Sequence, residues 1–187
     1  FHIRPDATFH DGKPVTAEDV RWSLERATNP LTESPVVDQY LGDIVGVKEK
    51  LNGDAETISG IKVIDPKTLE ITIDASKSYF LAKLTYPTGF VLDRANIEAD
   101  PKRWFRRPNG TGPFRLTQYD VGETMVLSRF ANYHLGPPLL EEVEMILSGG
   151  TSMLMYENDE IHVSGIGLAD LDRILDSGNS LNSELLQ

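Results

Sequence analysis

The first thirty residues constrain the fold most, because they join a strand-like start, a tight turn and a capped helix. Phe1 and Ile3 alternate with polar neighbours, which is the two-residue period of a half-buried strand. Residues 10–13 (HDGK) predict a turn, in which the aspartate bonds its own backbone and the glycine accepts a positive φ. Residues 16–19 (TAED) form a capping-box pattern, so we expect an amphipathic helix from there to Asn29-Pro30.

The rest of the chain predicts a mixture of hairpins and helices. Residues 61–64 and 69–73 alternate across a turn, and residues 114–116 and 125–127 do the same, so two hairpins are expected. Two further strands are predicted at 143–147 and 161–163, and residues 98–112 are interpreted as loop. A short helix or turn is predicted at 34–41, beginning near Ser34-Pro35, and short helices are predicted at 46–51, 78–84, 151–156 and 168–175. Without a regular βαβ rhythm, the order favours an α/β or mixed α+β fold.

Composition excludes several classes of function. The 187 residues include no cysteine, which rules out disulfides, thiolate metal sites and thiol catalysis. A net charge of -11 argues against a nucleic-acid partner. The basic cluster at residues 102–107 (KRWFRR) is interpreted as a solvated loop that flanks a packed tryptophan. No apolar run reaches the roughly 18 residues that a membrane span needs.

Enzyme chemistry has weak support in the sequence. His10-Asp11 is a conceivable acid–base pair, but an aspartate before glycine is more often a turn former. The four histidines show no zinc-site spacing, and Ser164-Gly165 lacks the context of a nucleophile elbow. We therefore predict no catalytic residue, no metal site and no cofactor.

Four segments, taken in order, resemble one family. They are residues 1–27, the box at 109–114 (NGTGPF), residues 127–137 (LSRFANYHLGP) and residues 155–163 (MYENDEIHV). Together they resemble the family-5 extracellular solute-binding proteins, the oligopeptide, dipeptide and nickel receptors of ABC importers. The chain departs from the family pattern at Phe130-Ala131, at Asp159, where glycine is usual, and at His162, where aspartate is usual. A positive φ at Asp159 is expected to be strained.

The resemblance implies part of lobe I of a type II periplasmic-binding-protein-like fold. In this interpretation the chain is truncated: residues 1–107 are the extra subdomain of lobe I, residues 108–187 are the returning part of its sheet subdomain, and lobe II is absent. The implied protein is not an enzyme. It captures oligopeptides outside the cytoplasmic membrane, in the periplasm or on the membrane's outer face, and delivers them to the permease subunits of an ABC importer, with any lipid anchor outside the fragment. The alternatives are a receptor for nickel chelates or oligosaccharides on the same scaffold, and a standalone protein-interaction domain.

The resemblance also places a ligand-binding cleft wall by region. Three segments of the chain contribute the expected wall residues, which are Val36, Tyr40, Thr88, Gly89, Phe90 and Thr111. Plain core packing is the competing interpretation of the two aromatic residues.

Overall fold

The computed structural model describes residues 1–186, which form two compact units. The first unit comprises Phe1–Tyr119 and Val126–Glu144. The second comprises Asp120–Met125 and the described residues from Met145 onward. The mixed helix-and-sheet class predicted from the sequence is confirmed, whereas the assignment of residues 1–107 and 108–187 to two parts of lobe I stays a prediction.

Helix α1 (Ala17–Ala27) begins at the predicted capping box. The Thr16 hydroxyl accepts from the Asp19 amide at 3.2 Å, and the Asp19 carboxylate accepts from the Thr16 amide at 2.8 Å. Both bonds satisfy backbone donors that the first helical turn leaves without partners. Ala17 and Leu24 on this helix are buried, so its apolar face is turned into the core as predicted.

Four short helices follow in the first unit: α2 (Val37–Leu41), α3 (Val47–Leu51), α4 (Phe80–Lys83) and α5 (Arg94–Ala99). Single 3₁₀ turns lie at Pro30–Thr32, Pro87–Gly89 and Trp104–Arg106. Helix α2 begins later than predicted, because Val36 has φ -122° and stands outside the helix as its N-cap. The interpretation of residues 98–112 as loop was wrong where α5 and the last 3₁₀ turn occupy it.

Strands β1 (Ile61–Asp65) and β2 (Thr68–Ile71) form the first predicted hairpin, antiparallel with Ile61 opposite Ile71. Strands β3 (Phe114–Asp120), β4 (Thr124–Arg129) and β5 (Glu142–Ile146) form a sheet in the order β3-β4-β5, which confirms the second hairpin and the third strand. The strand expected at Phe1–Ile3 is reduced to one bridge between His2 and Thr68. The strand predicted at 161–163 was wrong, because Val163 is 73% exposed and no strand within residues 1–186 pairs with this segment.

The main core lies in the first unit, between α1 and the β1–β2 hairpin. Its buried side chains include Ala17, Leu24, Val37, Leu41, Ile44, Val47, Ile58, Ile61, Leu69 and Phe80. A smaller cluster of Ala7, Phe9 and Val15 packs beneath the turn at residues 10–13. Because α2, α3 and α4 each place residues in the main core, the loops that follow them are anchored by packing.

The second unit contains α6 (Ser152–Glu157), α7 (Leu168–Leu175) and a 3₁₀ turn at Ser180–Glu184. Met153 and Ile174 are its buried apolar side chains. Asp159 adopts φ 59°, a left-handed conformation, at the position where glycine is usual in the family pattern. Among the described residues, no helix has the length and apolar character of a membrane span.

Candidate functional site

Two of the three predicted wall segments are neighbours in the first unit. Helix α2 lies beside the 3₁₀ turn Pro87–Gly89, and the Tyr40 ring stacks on the Tyr86 ring with centroids 3.7 Å apart and planes 8° apart. Phe90, directly after that turn, is 56% exposed, so the core-packing interpretation was wrong for this residue. The structure thus brings Tyr40 close to the turn that carries Thr88 and Gly89. Tyr86, the aromatic partner of Tyr40, was missed from the sequence.

The 87–89 turn is held by its own backbone. The Gly89 amide donates to the Tyr86 carbonyl at 2.8 Å, and the Phe90 amide donates to the Pro87 carbonyl at 3.1 Å. A side chain at Gly89 is excluded, because its Cβ would lie 2.5 Å from the Leu84 carbonyl oxygen. The Thr88 hydroxyl oxygen is buried and has no hydrogen-bond partner within residues 1–186. These contacts fix the backbone from which Phe90 projects.

Thr111 lies in a different segment, the box at residues 109–114, which is hydrogen-bonded to the 10–13 turn. The His10 amide donates to the Gly110 carbonyl at 2.8 Å, and the Asp11 amide donates to the Asn109 side-chain oxygen at 3.1 Å. The two segments that most resemble the family's sequence are therefore hydrogen-bonded to each other. The role of these two segments is structural, since the hydrogen bonds between them determine the position of Thr111.

Asp93 joins both segments to helix α5, of which it is the N-cap. One carboxylate oxygen accepts from the Lys13 ammonium at 3.1 Å and from the Ala95 amide at 3.2 Å, and the other accepts from the Asn109 side-chain amide at 2.8 Å. Burial by itself raises the pKa of Asp93, but the bonds from Asn109 and Lys13 outweigh it and leave the pKa below its ordinary value. Asp93 was not predicted from the sequence, although an aspartate before a helix-forming run is an N-cap signal.

His10 is a structural residue and not half of an acid–base pair. Its Nδ1 accepts from the Gly110 amide at 3.3 Å, its Nε2 donates to the Gly112 carbonyl at 3.0 Å, and its ring meets Phe130 edge-on with centroids 5.0 Å apart. Both ring nitrogens are thus used by backbone groups. The Asp11 carboxylate accepts from the Lys13 amide at 3.0 Å, as expected of a turn former.

Elsewhere, the described residues contain no cluster of three or more side chains suited to hold a metal ion. The second unit contains a groove that has Met153, Tyr156, His162 and Ile174 among its lining residues. None of the six predicted wall residues lines this groove.

Comparison with known proteins decides the family. Residues 1–184 match the model of the bacterial extracellular solute-binding proteins, family 5 Middle. The chain belongs to this family. Family-5 proteins are binding proteins and not enzymes, so the prediction of a non-enzymatic chain is confirmed at the level of the family. Family members act outside the cytoplasm, which agrees with the predicted location.

Individual relatives carry several ligand names. The chain is 38% identical over 138 residues to the periplasmic oligopeptide-binding protein OppA of Escherichia coli K12, covering 71% of this chain and 25% of OppA. It is 31% identical over 152 residues to the probable deoxycholate-binding periplasmic protein YgiS of the same strain, covering 78% of this chain and 28% of YgiS. The solved structure of the Escherichia coli murein tripeptide binding protein MppA superposes with a TM-score of 0.84 at 26% identity, covering 95% of this chain and 36% of that one. The chain thus spans between a quarter and about a third of these relatives' lengths.

Proposed function

We propose that this chain forms part of the substrate-binding component of an ABC importer, which captures oligopeptides outside the cytoplasmic membrane and delivers them to the permease subunits. The observation that carries the proposal is the 38% identity to an oligopeptide-binding protein, within a family match that covers residues 1–184. The superposition on a murein tripeptide binding protein supports the same ligand class.

The proposed contribution of this chain is one wall of the ligand site. Val36 would contribute from the N-cap of α2, and Tyr40 from within that helix. Thr88, Gly89 and Phe90 would contribute from the 87–90 segment, and Thr111 from the box. Phe90, 56% exposed, and the stacked Tyr40–Tyr86 pair offer apolar surface to ligand side chains. A site that holds peptides mainly through their backbone groups needs a rigid wall, and water fills the space that the peptide side chains leave. The anchored turns described above supply that rigidity.

A steroid-like ligand is the second candidate, because one relative is a probable deoxycholate-binding protein at 31% identity. Such a ligand buries more apolar surface and has no peptide backbone. It would depend more on the aromatic side chains and less on hydrogen-bonding groups. The two candidate functions can therefore be distinguished by the ligand that binds to the proposed wall.

The test is ligand binding by the complete gene product, purified without denaturation and titrated with an equimolar library of random tripeptides. Phe90→Ala should weaken tripeptide binding by about tenfold, because truncation of a central aromatic contact typically costs more than about 1 kcal/mol. Phe105→Ala is the matched control, since Phe105 is 50% exposed but lies outside the proposed wall. Equal effects of the two substitutions would remove Phe90 from the wall. Binding of deoxycholate but not of tripeptides would favour the second candidate.

A further inference from the structure

His10 carries an inference that goes beyond the contact residues of the proposed wall. We propose that His10 is a positioning residue, whose neutral imidazole holds residues 110–112, and Thr111 with them, in the binding geometry, so that ligand binding weakens in acid. The inference rests on the proposed function for the ligand, but its structural part stands on the hydrogen bonds of the ring.

The two hydrogen bonds of the ring require one particular protonation state. Nδ1 accepts from the Gly110 amide at 3.3 Å, so this nitrogen must carry a lone pair. Nε2 lies 3.0 Å from the Gly112 carbonyl oxygen, which can only accept, so this nitrogen must carry the proton. Only the neutral ring protonated at Nε2 satisfies both. Since the bonds flank Thr111 on either side, the ring holds the backbone from which Thr111 projects.

Protonation of His10 would break this arrangement. A proton on Nδ1 would face the Gly110 N–H, and two donors directed at each other repel. Little space is available for the ring or the box to adjust, because a Cβ on Gly110 would lie 3.3 Å from the ring's Cε1 and the ring packs edge-on against Phe130. The protonated ring must therefore leave its position, or the box must move.

The surroundings of the His10 ring both lower and raise its pKa. Burial lowers the pKa of His10 below its ordinary value, and the bond to the Gly112 carbonyl partly offsets that effect. The Arg115 guanidinium on β3 lowers the pKa further, whereas the Asp11 carboxylate on the same turn raises it. Phe130 brings no charge, and the nearby Lys13 and Asp93 are paired with each other. The folded protein therefore favours the neutral ring that the hydrogen bonds require.

The sign of the pH dependence follows from linkage. Because the pKa is lowered on folding, the unfolded state binds a proton more readily than the folded state. Above the ordinary histidine pKa of about 6.5, neither state is protonated and the geometry is intact. As the pH falls from there through the lower folded pKa, stability and the bound geometry are lost.

The test compares three forms of the complete gene product: wild type, His10→Gln and His2→Gln. Affinity for the random tripeptide library is measured between about pH 5 and 8, the range in which histidine titrates. In His10→Gln the side-chain amide keeps a donor and an acceptor but does not titrate, so the affinity of this variant should be independent of pH. Wild type and the exposed-site control His2→Gln should lose about tenfold in affinity for each pH unit below the pKa of His10. Identical profiles for wild type and His10→Gln would overturn the inference.

A second readout needs neither ligand nor variant. Histidine-selective ¹⁵N NMR of the wild-type protein should show His10 protonated at Nε2 alone at neutral pH, with a titration midpoint below about 6.5. A proton at Nδ1, or a midpoint above that value, would overturn the inference even if His10→Gln does not fold. Absence of tripeptide binding by all three forms at every pH would count against the proposed function, and the NMR result would then decide the positioning role by itself.

Discussion

Replacement of Asp93 with alanine should destabilise the first unit substantially, because this carboxylate is 5% exposed and joins three segments of the chain. Its loss removes the N-cap bond to the Ala95 amide, the bond to the Asn109 side chain and the ion pair with Lys13. The 10–13 turn, helix α5 and the 109–114 box would then be held by fewer bonds.

The size of the effect can be worked from these contacts. Loss of an N-cap costs about 1 kcal/mol. A part-buried Asn109 amide left without its charged acceptor costs about 1–3 kcal/mol. The Lys13 side chain is 45% exposed and can be rehydrated, so the ion pair adds less than about 1 kcal/mol. Since contributions from one network are not strictly additive, we expect a loss of about 2–4 kcal/mol in the free energy of unfolding.

Urea unfolding followed by tryptophan fluorescence measures this loss, because Trp22 and Trp104 both lie in the same unit as Asp93. The midpoint should fall by roughly 1–2 M for a typical urea dependence. Glu98→Ala is the control, since Glu98 lies on helix α5, which Asp93 caps, and its side chain is 56% exposed. Within residues 1–186 it forms an ion pair only with Arg94, so its loss should cost less than about 0.5 kcal/mol. If the free energy of unfolding of Asp93→Ala lay within about 0.5 kcal/mol of wild type, the reasoning that Asp93 stabilises the unit by linking three segments would be refuted.

The same carboxylate should make stability depend on pH in the acid range. Because the pKa of Asp93 is lowered on folding, its contribution is complete above the unfolded pKa of about 3.9 and is lost as the pH falls through the folded pKa. Asp93→Ala should therefore show a shallower loss of stability below about pH 4 than wild type, since it lacks this carboxylate. Parallel acid profiles would contradict the stated direction of the shift.

The remaining predictions use the same urea assay. Thr16→Ala should cost about 1 kcal/mol through loss of the capping box, and no change would mean that the two cap bonds contribute nothing net. Leu24→Ala, at a site 2% exposed, should cost about 2–5 kcal/mol, whereas Leu31→Ala, at 91% exposed, should change stability by less than about 0.5 kcal/mol; similar values would contradict the location of the core. Gly46→Ala should cost more than Gly12→Ala: both glycines have φ +89°, but only the Cβ at Gly46 would lie 2.4 Å from the Ser59 hydroxyl, so equal costs would show that backbone strain alone matters.

The parts of the fold that could be predicted from the sequence are those formed by residues close to one another in the chain. The capping box at Thr16, the turn around Gly12 and the β1–β2 hairpin each depend on residues within a few positions of one another, and each is confirmed. The segment at 161–163 has strand-like residues but was predicted wrongly, because a strand also needs a pairing partner that residue patterns do not identify. The predicted strand at Phe1–Ile3 does have a pairing partner, because the Ile3 amide donates to the Lys67 carbonyl and the Leu69 amide donates to the Phe1 carbonyl, but the pairing extends over a single bridge.

The missed residues of the site depend on contacts that are distant in sequence. Asp93 meets Lys13 across 80 positions, and His10 meets Gly110 across 100 positions. No periodicity or spacing relates such pairs. The residues of the proposed wall were inferred from segments that resemble the family. That resemblance indicated Tyr40 but not Tyr86, whose ring stacks on the ring of Tyr40. The exposure of Phe90 and the stacking of Tyr40 on Tyr86, the physical features that support the proposed wall, become visible only when the chain is folded.

Native mass spectrometry of the complete gene product can show whether this chain takes part in oligopeptide binding, as we propose. The protein should be purified without denaturation, so that a ligand captured in the cell is retained. We predict a series of co-purified masses that fit short peptides, displaced by added random tripeptides. A ligand-free mass that stays unchanged with tripeptides, or a shift with deoxycholate alone, would contradict the claim.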